Sequence, residues 1–223
     1  MGYRTVAARG QDEHVEKKSR FIGIAWPVHS EEEAKQIIEK IRKEYWDASH
    51  HVYAYRLRPA DGKGAEIQKF SDDGEPGGTA GKPCLDVLLG EDVSNVLVIV
   101  IRYFGGTLLG TGGLVRAYTK GAQIALAAAG VIEKKVYVRS SIRMDYGYLS
   151  KIQYLIGKKP AEEVGVVDTV YEDNVIIRLL VREDVHDRFR DEITASSEGR
   201  LTLEDEEKVL AAPVSGKLQV FKE

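Results

Sequence analysis

The chain has 223 residues, 43% of them hydrophobic and 30% charged, and 35 acidic against 32 basic side chains give a net charge of -3. This composition is typical of a folded globular protein, and it excludes a chain that binds nucleic acid through its overall charge. The single cysteine excludes an intrachain disulfide and a four-thiolate zinc site. Because the longest apolar run, 93–101, is too short to span a membrane, we expect a soluble, cytoplasmic protein.

Residues 1–134 are predicted to form a first domain of mixed strands and helices. Ser30, with Glu33 three residues later, is a capping-box pattern that predicts a helix start, and apolar residues at helical spacing follow it. The run 96–103 is almost wholly aliphatic, which predicts a central strand covered on both faces. The other predicted elements are strands over 16–28, 51–57 and 65–70, with a turn at 61–64, and a buried helix over 114–129.

Residues 135–223 are predicted to form a second, smaller domain. Alternating apolar residues predict strands and apolar residues at helical spacing predict helices, in the order strand, helix, strand, strand, helix, strand. That order within about 85 residues is the ferredoxin-like βαββαβ unit. The predicted strands cover 136–146, 164–171, 175–181 and 201–212, and the predicted helices 149–157 and 185–193.

A glycine-rich acidic segment, 71–83, is the first candidate site. Asp72, Asp73 and Glu75 lie close together in sequence, so they would supply oxygen ligands to a hard cation such as Mg²⁺. Prolines stand at two positions that a phosphate-binding P-loop needs for other residues, so the segment is not such a loop. The alternative is a surface turn in which an aspartate caps the next helix.

A second glycine-rich segment, 102–116, joins the predicted central strand to the buried helix. Free amides at a helix start form an anion site when glycines allow close approach, and Arg102 and Arg116 flank this one. The alternative is internal pairing, in which the acids of 71–83 neutralise these arginines. Candidate ligand contacts in the two segments are Lys82, Arg102, Tyr103, Gly105, Gly106, Thr111, Gly112, Gly113, Arg116 and Lys120.

Three further groups have both a structural and a functional interpretation. His50 and His51 are neighbours on a strand and point to opposite faces, so each is either a structural residue or a lone base or ligand contact. Cys84 is either a small core residue or a nucleophile. Tyrosines and arginines alternate around the same strands, and they are either core residues and solvated charges or a stacking face for single-stranded RNA. The residues of that face are Tyr53, Tyr55, Tyr103, Arg56, Arg58 and Arg102.

Four motifs in order resemble the YigZ/IMPACT family, also called UPF0029, and residues 136–223 resemble the smaller C-terminal domain of its bacterial two-domain members. The motifs are Lys18-Ser19-Arg20-Phe21-Ile22, the stretch 48–55, the acidic segment 71–83, and the glycine-rich segment 102–118. Leu108 departs from the family pattern, in which a lysine is common at this place. His51 and Val52 also depart, since Asn-Cys is common there.

The resemblance implies a fold and a set of functions. The first domain would be like domain 2 of ribosomal protein S5, and the second like domain V of elongation factor G. Eukaryotic family members regulate translation, so we expect a non-catalytic protein that binds RNA, the ribosome or a translation-associated partner, with no membrane role. The alternatives are a phosphate-binding enzyme built on the two glycine-rich segments and a protein–protein module that acts by competition. We assign no catalytic residue and no cofactor apart from the Mg²⁺ alternative, and we slightly favour a monomer.

Overall fold

The computed structural model describes residues 2–59, 64–214 and 216–221. Within that part of the chain it is an α+β protein with five helices and two antiparallel sheets. The described residues divide into two compact units, one within 3–132 and one within 133–221, and Gly2 belongs with the second. No helix of the described residues is long and apolar enough to cross a membrane.

The first unit has a five-stranded sheet with the strand order β2-β3-β6-β4-β5. Its elements are β1 (Tyr3–Val6), β2 (Gly10–Glu16), β3 (Ser19–Pro27), α1 (Glu31–Glu44), β4 (His50–Leu57), β5 (Ile67–Ser71), α2 (Gly81–Gly90), β6 (Val96–Tyr103) and α3 (Thr111–Ala129). The predicted strands 51–57 and 65–70 correspond to β4 and β5, which pair antiparallel with Tyr53 opposite Ser71 and Leu57 opposite Ile67. Positions 61–63 of the predicted turn lie outside the described residues.

The central strand β6 is buried on both faces, as the aliphatic run predicts. Val96, Val98 and Val100 pack with α2 and α3 in one hydrophobic cluster. Leu97 and Ile101 alternate with them and pack against α1 on the other face. Helices therefore cover both faces of the sheet. The loops that follow β5 and β6 begin where these strands end, outside the covered faces.

The start of α1 confirms the capping box with one difference. Ser30 Oγ accepts a hydrogen bond of 3.1 Å from the amide of Glu33. The Glu33 carboxylate accepts a bond of 2.7 Å from the amide of His29, one residue before the cap. Both bonds satisfy main-chain donors at the helix start that would otherwise lack partners.

The second unit has the predicted order of elements, with one additional strand. Its elements are β7 (Val131–Met144), α4 (Tyr146–Gly157), β8 (Val164–Tyr171), β9 (Val175–Arg182), α5 (Glu183–Ser196), β10 (Glu204–Val214) and β11 (Lys217–Phe221). The sheet order is β11-β10-β7-β9-β8, so β8 and β11 are its two edges. One face packs against α4 and α5 around Ile142, Ile177 and Phe189.

Candidate functional site

Asp72 organises the acidic loop between β5 and α2. Its Oδ1 accepts hydrogen bonds from the amides of Ala80 at 3.0 Å and Gly81 at 2.8 Å, and its Oδ2 accepts one of 2.8 Å from Gly78. These amides belong to the loop and the first turn of α2, which has no cap from the side chain of its own N-cap residue. Asp72 therefore caps α2, which is the role that the alternative of a surface turn assigned to an aspartate.

Asp73 ties the same loop to α1 and β4. Its carboxylate accepts bonds from Arg42 Nη2 at 2.8 Å and from the amide of His51 at 2.6 Å. Its carbonyl accepts one of 2.8 Å from His50 Nδ1. The ring of His51 donates from Nε2 to the carbonyl of Tyr45 at 2.9 Å. Both histidines therefore have structural partners.

Glu75 joins the two glycine-rich segments inside the protein. Its side chain is 4% exposed, and Oε1 accepts bonds from Arg102 Nη1 at 2.5 Å and from the Tyr118 hydroxyl at 2.7 Å. Arg102 Nη2 donates to Ser19 Oγ at 3.3 Å. Burial and the charge of Glu75 both raise the pKa of Tyr118. The prediction that Arg102 faces an external anion is therefore corrected, because its charge is neutralised by a buried carboxylate.

The three acids do not form the predicted Mg²⁺ site. Asp72, Asp73 and Glu75 face three different sets of internal partners. Within 2–59, 64–214 and 216–221, no three His, Cys, Asp or Glu side chains are grouped as a metal site. Lys82, predicted as a phosphate contact, instead pairs with Asp86 one turn later on α2.

The predicted stacking face is also corrected, because its tyrosines and arginines lie on opposite faces of the sheet. Side chains alternate along a strand, so Tyr53, Tyr55 and Tyr103 pack on the α1 side. Tyr55 donates to Glu31 Oε2 at 2.9 Å, and Tyr103 to Asp47 Oδ1 at 2.9 Å. The arginines occupy the alternate positions, where Arg56 pairs with Glu66 and Asp92, and Arg58 lies over the ring of Tyr3.

Cys84 is a core residue. It is fully buried in the cluster formed by α2, α3 and the sheet, and its thiol donates to the carbonyl of Tyr118 at 3.7 Å. Burial raises the pKa of this thiol, which disfavours the reactive thiolate.

The loop after β6 is exposed and rests directly on the turn between β2 and β3. Gly105 donates its amide to Ser19 Oγ at 3.1 Å, and a Cβ on Gly105 would lie 2.1 Å from the carbonyl carbon of Lys18. Only glycine allows this close approach. Phe104 is 49% exposed and Leu108 is 83% exposed. The loop therefore presents apolar groups beside Lys17 and Lys18, which are also exposed.

The start of α3 has free main-chain donors. Leu114 donates its amide to the carbonyl of Gly110, while the amides of Thr111, Gly112 and Gly113 have no acceptor among the described residues. Arg116 lies over this turn, since a Cβ on Gly112 would be 3.8 Å from its Nη1.

Arg116 and Lys120 lie one turn apart on α3. Both side chains are exposed, and neither has an ion-pair partner in the part of the chain that the structure describes. We define Lys17, Lys18, Phe104, Arg116 and Lys120 as the loop surface.

His14 belongs to none of the sequence motifs, yet it lies beside the loop surface. Its Nε2 donates to the carbonyl of Ala117 at 3.0 Å, and its ring stacks on Phe21 with 5.1 Å between centroids. Its Nδ1 is buried without a partner among the described residues. Burial lowers the pKa of His14, and the charge of Lys120 lowers it further, because protonation would place a buried donor where no acceptor lies.

This geometry predicts a loss of stability in mild acid. Below the ordinary histidine pKa of 6.5 the unfolded chain takes up a proton that the folded protein does not, so the free energy of unfolding falls as the pH drops. Urea unfolding at pH 7.5 and 5.5 would measure this through Trp26 and Trp46, the two tryptophans of the chain. His14→Gln should reduce the decrease more than His29→Gln, a substitution at an exposed position. An equal decrease in the wild type and His14→Gln would contradict the assignment.

Comparison with known proteins gives matches for both units. The Impact N-terminal domain matches residues 17–126, and a domain of unknown function, DUF1949, matches residues 142–200. YvyE of Bacillus subtilis is 37% identical over 205 residues, which is 92% of this chain and 91% of YvyE. YigZ of Escherichia coli is 36% identical over 187 residues, which is 84% of this chain and 89% of YigZ.

A solved structure supports the fold. The crystal structure of a hypothetical protein is 34% identical, covers 92% of this chain and 98% of its own, and superposes with a TM-score of 0.56. The alignment with this structure therefore extends over nearly the whole length of the chain. On these grounds the protein belongs to the IMPACT family, in the two-domain form of its bacterial members YigZ and YvyE.

Proposed function

We propose that this protein is a non-catalytic, translation-associated protein that binds RNA, free or in the ribosome, through the loop surface. One observation carries the proposal: four exposed cations without ion-pair partners among the described residues lie on the β2–β3 turn, which contacts the loop of Phe104 at Gly105, and on α3, which follows that loop. The four cations are Lys17, Lys18, Arg116 and Lys120. The association with translation, and with it a cytoplasmic location, rests on the family resemblance.

The chemistry of the loop surface suits a nucleic-acid backbone. Lysine and arginine bind phosphates, and the free amides at the start of α3 add donors of the kind that hold phosphate at helix starts. An exposed aromatic ring can stack on an unpaired base. Arg102 lies 5.5 Å from the centre of the Phe104 ring, so the buried Arg102–Glu75 pair positions this ring.

We propose a non-catalytic protein because the reactive side chains are buried or already bonded to other groups of the protein. Asp72 caps α2, Glu75 neutralises Arg102, and the thiol of Cys84 is buried. The enzyme alternative would need these carboxylates to face a ligand beside the loop 105–113. The observed hydrogen bonds give that alternative no support.

RNA binding is testable by fluorescence anisotropy with a labelled single-stranded 12-nucleotide RNA at several salt concentrations. The double variant Arg116→Ala, Lys120→Ala should bind more weakly at low salt. It should also reduce the slope of log affinity against log salt by about 1.4, since each phosphate contact of a single strand contributes roughly 0.7. Co-sedimentation with ribosomes separates a ribosomal site from free RNA.

The matched control removes two cations from α1. Lys35→Ala, Lys43→Ala changes the net charge equally, and both lysines are exposed, so it should reduce binding by less than twofold. Equal binding by the two double variants would refute the role of the loop surface. The absence of RNA binding by the wild type would refute the proposed function itself.

We further propose the domain folds that the family resemblance implies: ribosomal protein S5 domain 2-like for residues 1–134, and ferredoxin-like for 135–223. The βαββαβ order of the second unit supports the latter. Within that unit, the sheet order β10-β7-β9-β8 places the first and third strands in the centre.

A further inference from the structure

The second unit contains an apolar groove that the proposed function does not use. It has a volume of about 550 Å³ and lies between the edge strand β8, the end of α4 and the strand β11. Six of its apolar lining residues are Ile156, Val166, Val167, Leu180, Leu218 and Val220. Val166 and Val167 are 53% and 55% exposed, so a substantial apolar area remains open to a ligand.

The groove forms because the sheet curls until its two edges approach each other. Leu218 of β11 reaches Gly165 of β8, and a Cβ on Gly165 would lie 2.7 Å from Leu218 Cδ1. The Tyr137 hydroxyl also crosses the sheet face and donates to the carbonyl of Glu162 at 2.6 Å. Gly165 and Leu218 both line the groove, so their contact joins its two sides, and the apolar lining belongs to a built concavity.

The charge in the groove is positive. Arg139, Lys159 and Lys217 line it, and no described lining residue is acidic. Arg139 pairs with Glu207 at 2.9 Å and Lys159 with Glu192 at 2.6 Å, but neither acid lines the groove. Lys217 has no ion-pair partner in the described chain.

Arg139 has a further unsatisfied group. Its Nε is buried and has no acceptor among the described residues. An unpaired buried donor is unfavourable, and an acceptor brought by a ligand would relieve it if the side chain adjusted.

We propose that this groove binds an aliphatic carboxylate of medium chain length. The chain would lie along the valines of β8 and Leu218, and the carboxylate would pair with Lys217 and Arg139. An apolar lining with a few cationic groups is the ordinary construction of a site for such an anion, and the volume is within the range of small-molecule sites. This binding function is additional to the RNA site and independent of it.

Isothermal titration with octanoate, decanoate and dodecanoate, each below its critical micelle concentration, tests the proposal on the full chain. Affinity should rise with length by about fourfold per methylene, as expected when each added methylene is buried. Dodecyltrimethylammonium has a similar chain and the opposite charge, so it should bind at least tenfold more weakly. Equal binding of the cation and the anion would overturn the proposal, as would the absence of saturable dodecanoate binding.

Two variants test whether dodecanoate binds in the groove. Lys217→Gln should weaken dodecanoate binding at least fivefold, and Val167→Glu, which adds a carboxylate to the exposed lining, should abolish it. The matched controls are Lys43→Gln on α1 and Val15→Glu on β2, where Val15 is 63% exposed. Circular dichroism of each variant checks that it is folded. Binding that is unchanged in both groove variants would show that the site lies elsewhere.

Discussion

Glu75→Ala is expected to destabilise the first unit by about 3–5 kcal/mol, the usual loss when one partner of a buried ion pair is removed. The substitution leaves Arg102, which is 5% exposed, without its carboxylate and leaves the Tyr118 hydroxyl without its acceptor. Urea unfolding followed by tryptophan fluorescence measures the change, because Trp26 and Trp46 both lie in this unit.

Two comparisons make the result specific to the buried pair. Glu13→Ala removes an exposed partner of Arg20, which should change stability by less than about 1 kcal/mol. The double variant Glu75→Leu, Arg102→Met replaces both charges by apolar groups, so it should recover much of the lost stability. If Glu75→Ala were no more destabilising than Glu13→Ala, the buried pair would not join the two glycine-rich segments as described.

Gly105→Ala is expected to cost about 1–3 kcal/mol, as overpacking of a close contact does, and to weaken RNA binding. Its Cβ would lie 2.1 to 2.4 Å from backbone atoms of Lys18 and Ser19. Because backbone atoms cannot rotate away, the loop that carries Phe104 must move off the β2–β3 turn. Amide chemical shifts of the turn and RNA anisotropy would report this displacement.

Gly112→Ala is the matched control for the effect of a methyl group. The nearest atom to its added Cβ is Arg116 Nη1 at 3.8 Å, and alanine favours a helix more than glycine does by about 1 kcal/mol. Its stability should therefore be unchanged or slightly increased. Unchanged amide shifts and stability in Gly105→Ala would contradict the close contact.

Much of the fold could be predicted from periodicity. The aliphatic run of β6 and the capping box of α1 are strong local signals, and both are confirmed. The strand β2 was missed because its sequence, GQDEHVE, contains one aliphatic residue, as is common for a polar edge strand. The strand β11 has five residues, and so short a segment gives little periodicity to detect.

The candidate site could be located from the sequence, but the roles of its residues could not be assigned. The glycine-rich motifs identified the correct region, and the alternatives they left open could be decided only by tertiary contacts. Arg102 follows Val98 and Val100 on the same strand face, yet its burial depends on Glu75, 27 residues earlier. His14 lies on the polar strand β2, and nothing in its local sequence indicates its contact with Ala117 of α3.

The most direct test of the central claim is to locate bound RNA by photo-crosslinking with 4-thiouridine-labelled RNA, followed by mass spectrometry of the crosslinked peptides. If RNA binds at the loop surface, crosslinks will lie in the β2–β3 turn at Lys17 and Lys18 and in the segment from Phe104 to Lys120. Crosslinks confined to the second unit, or to the α1 face of the first, would contradict this claim.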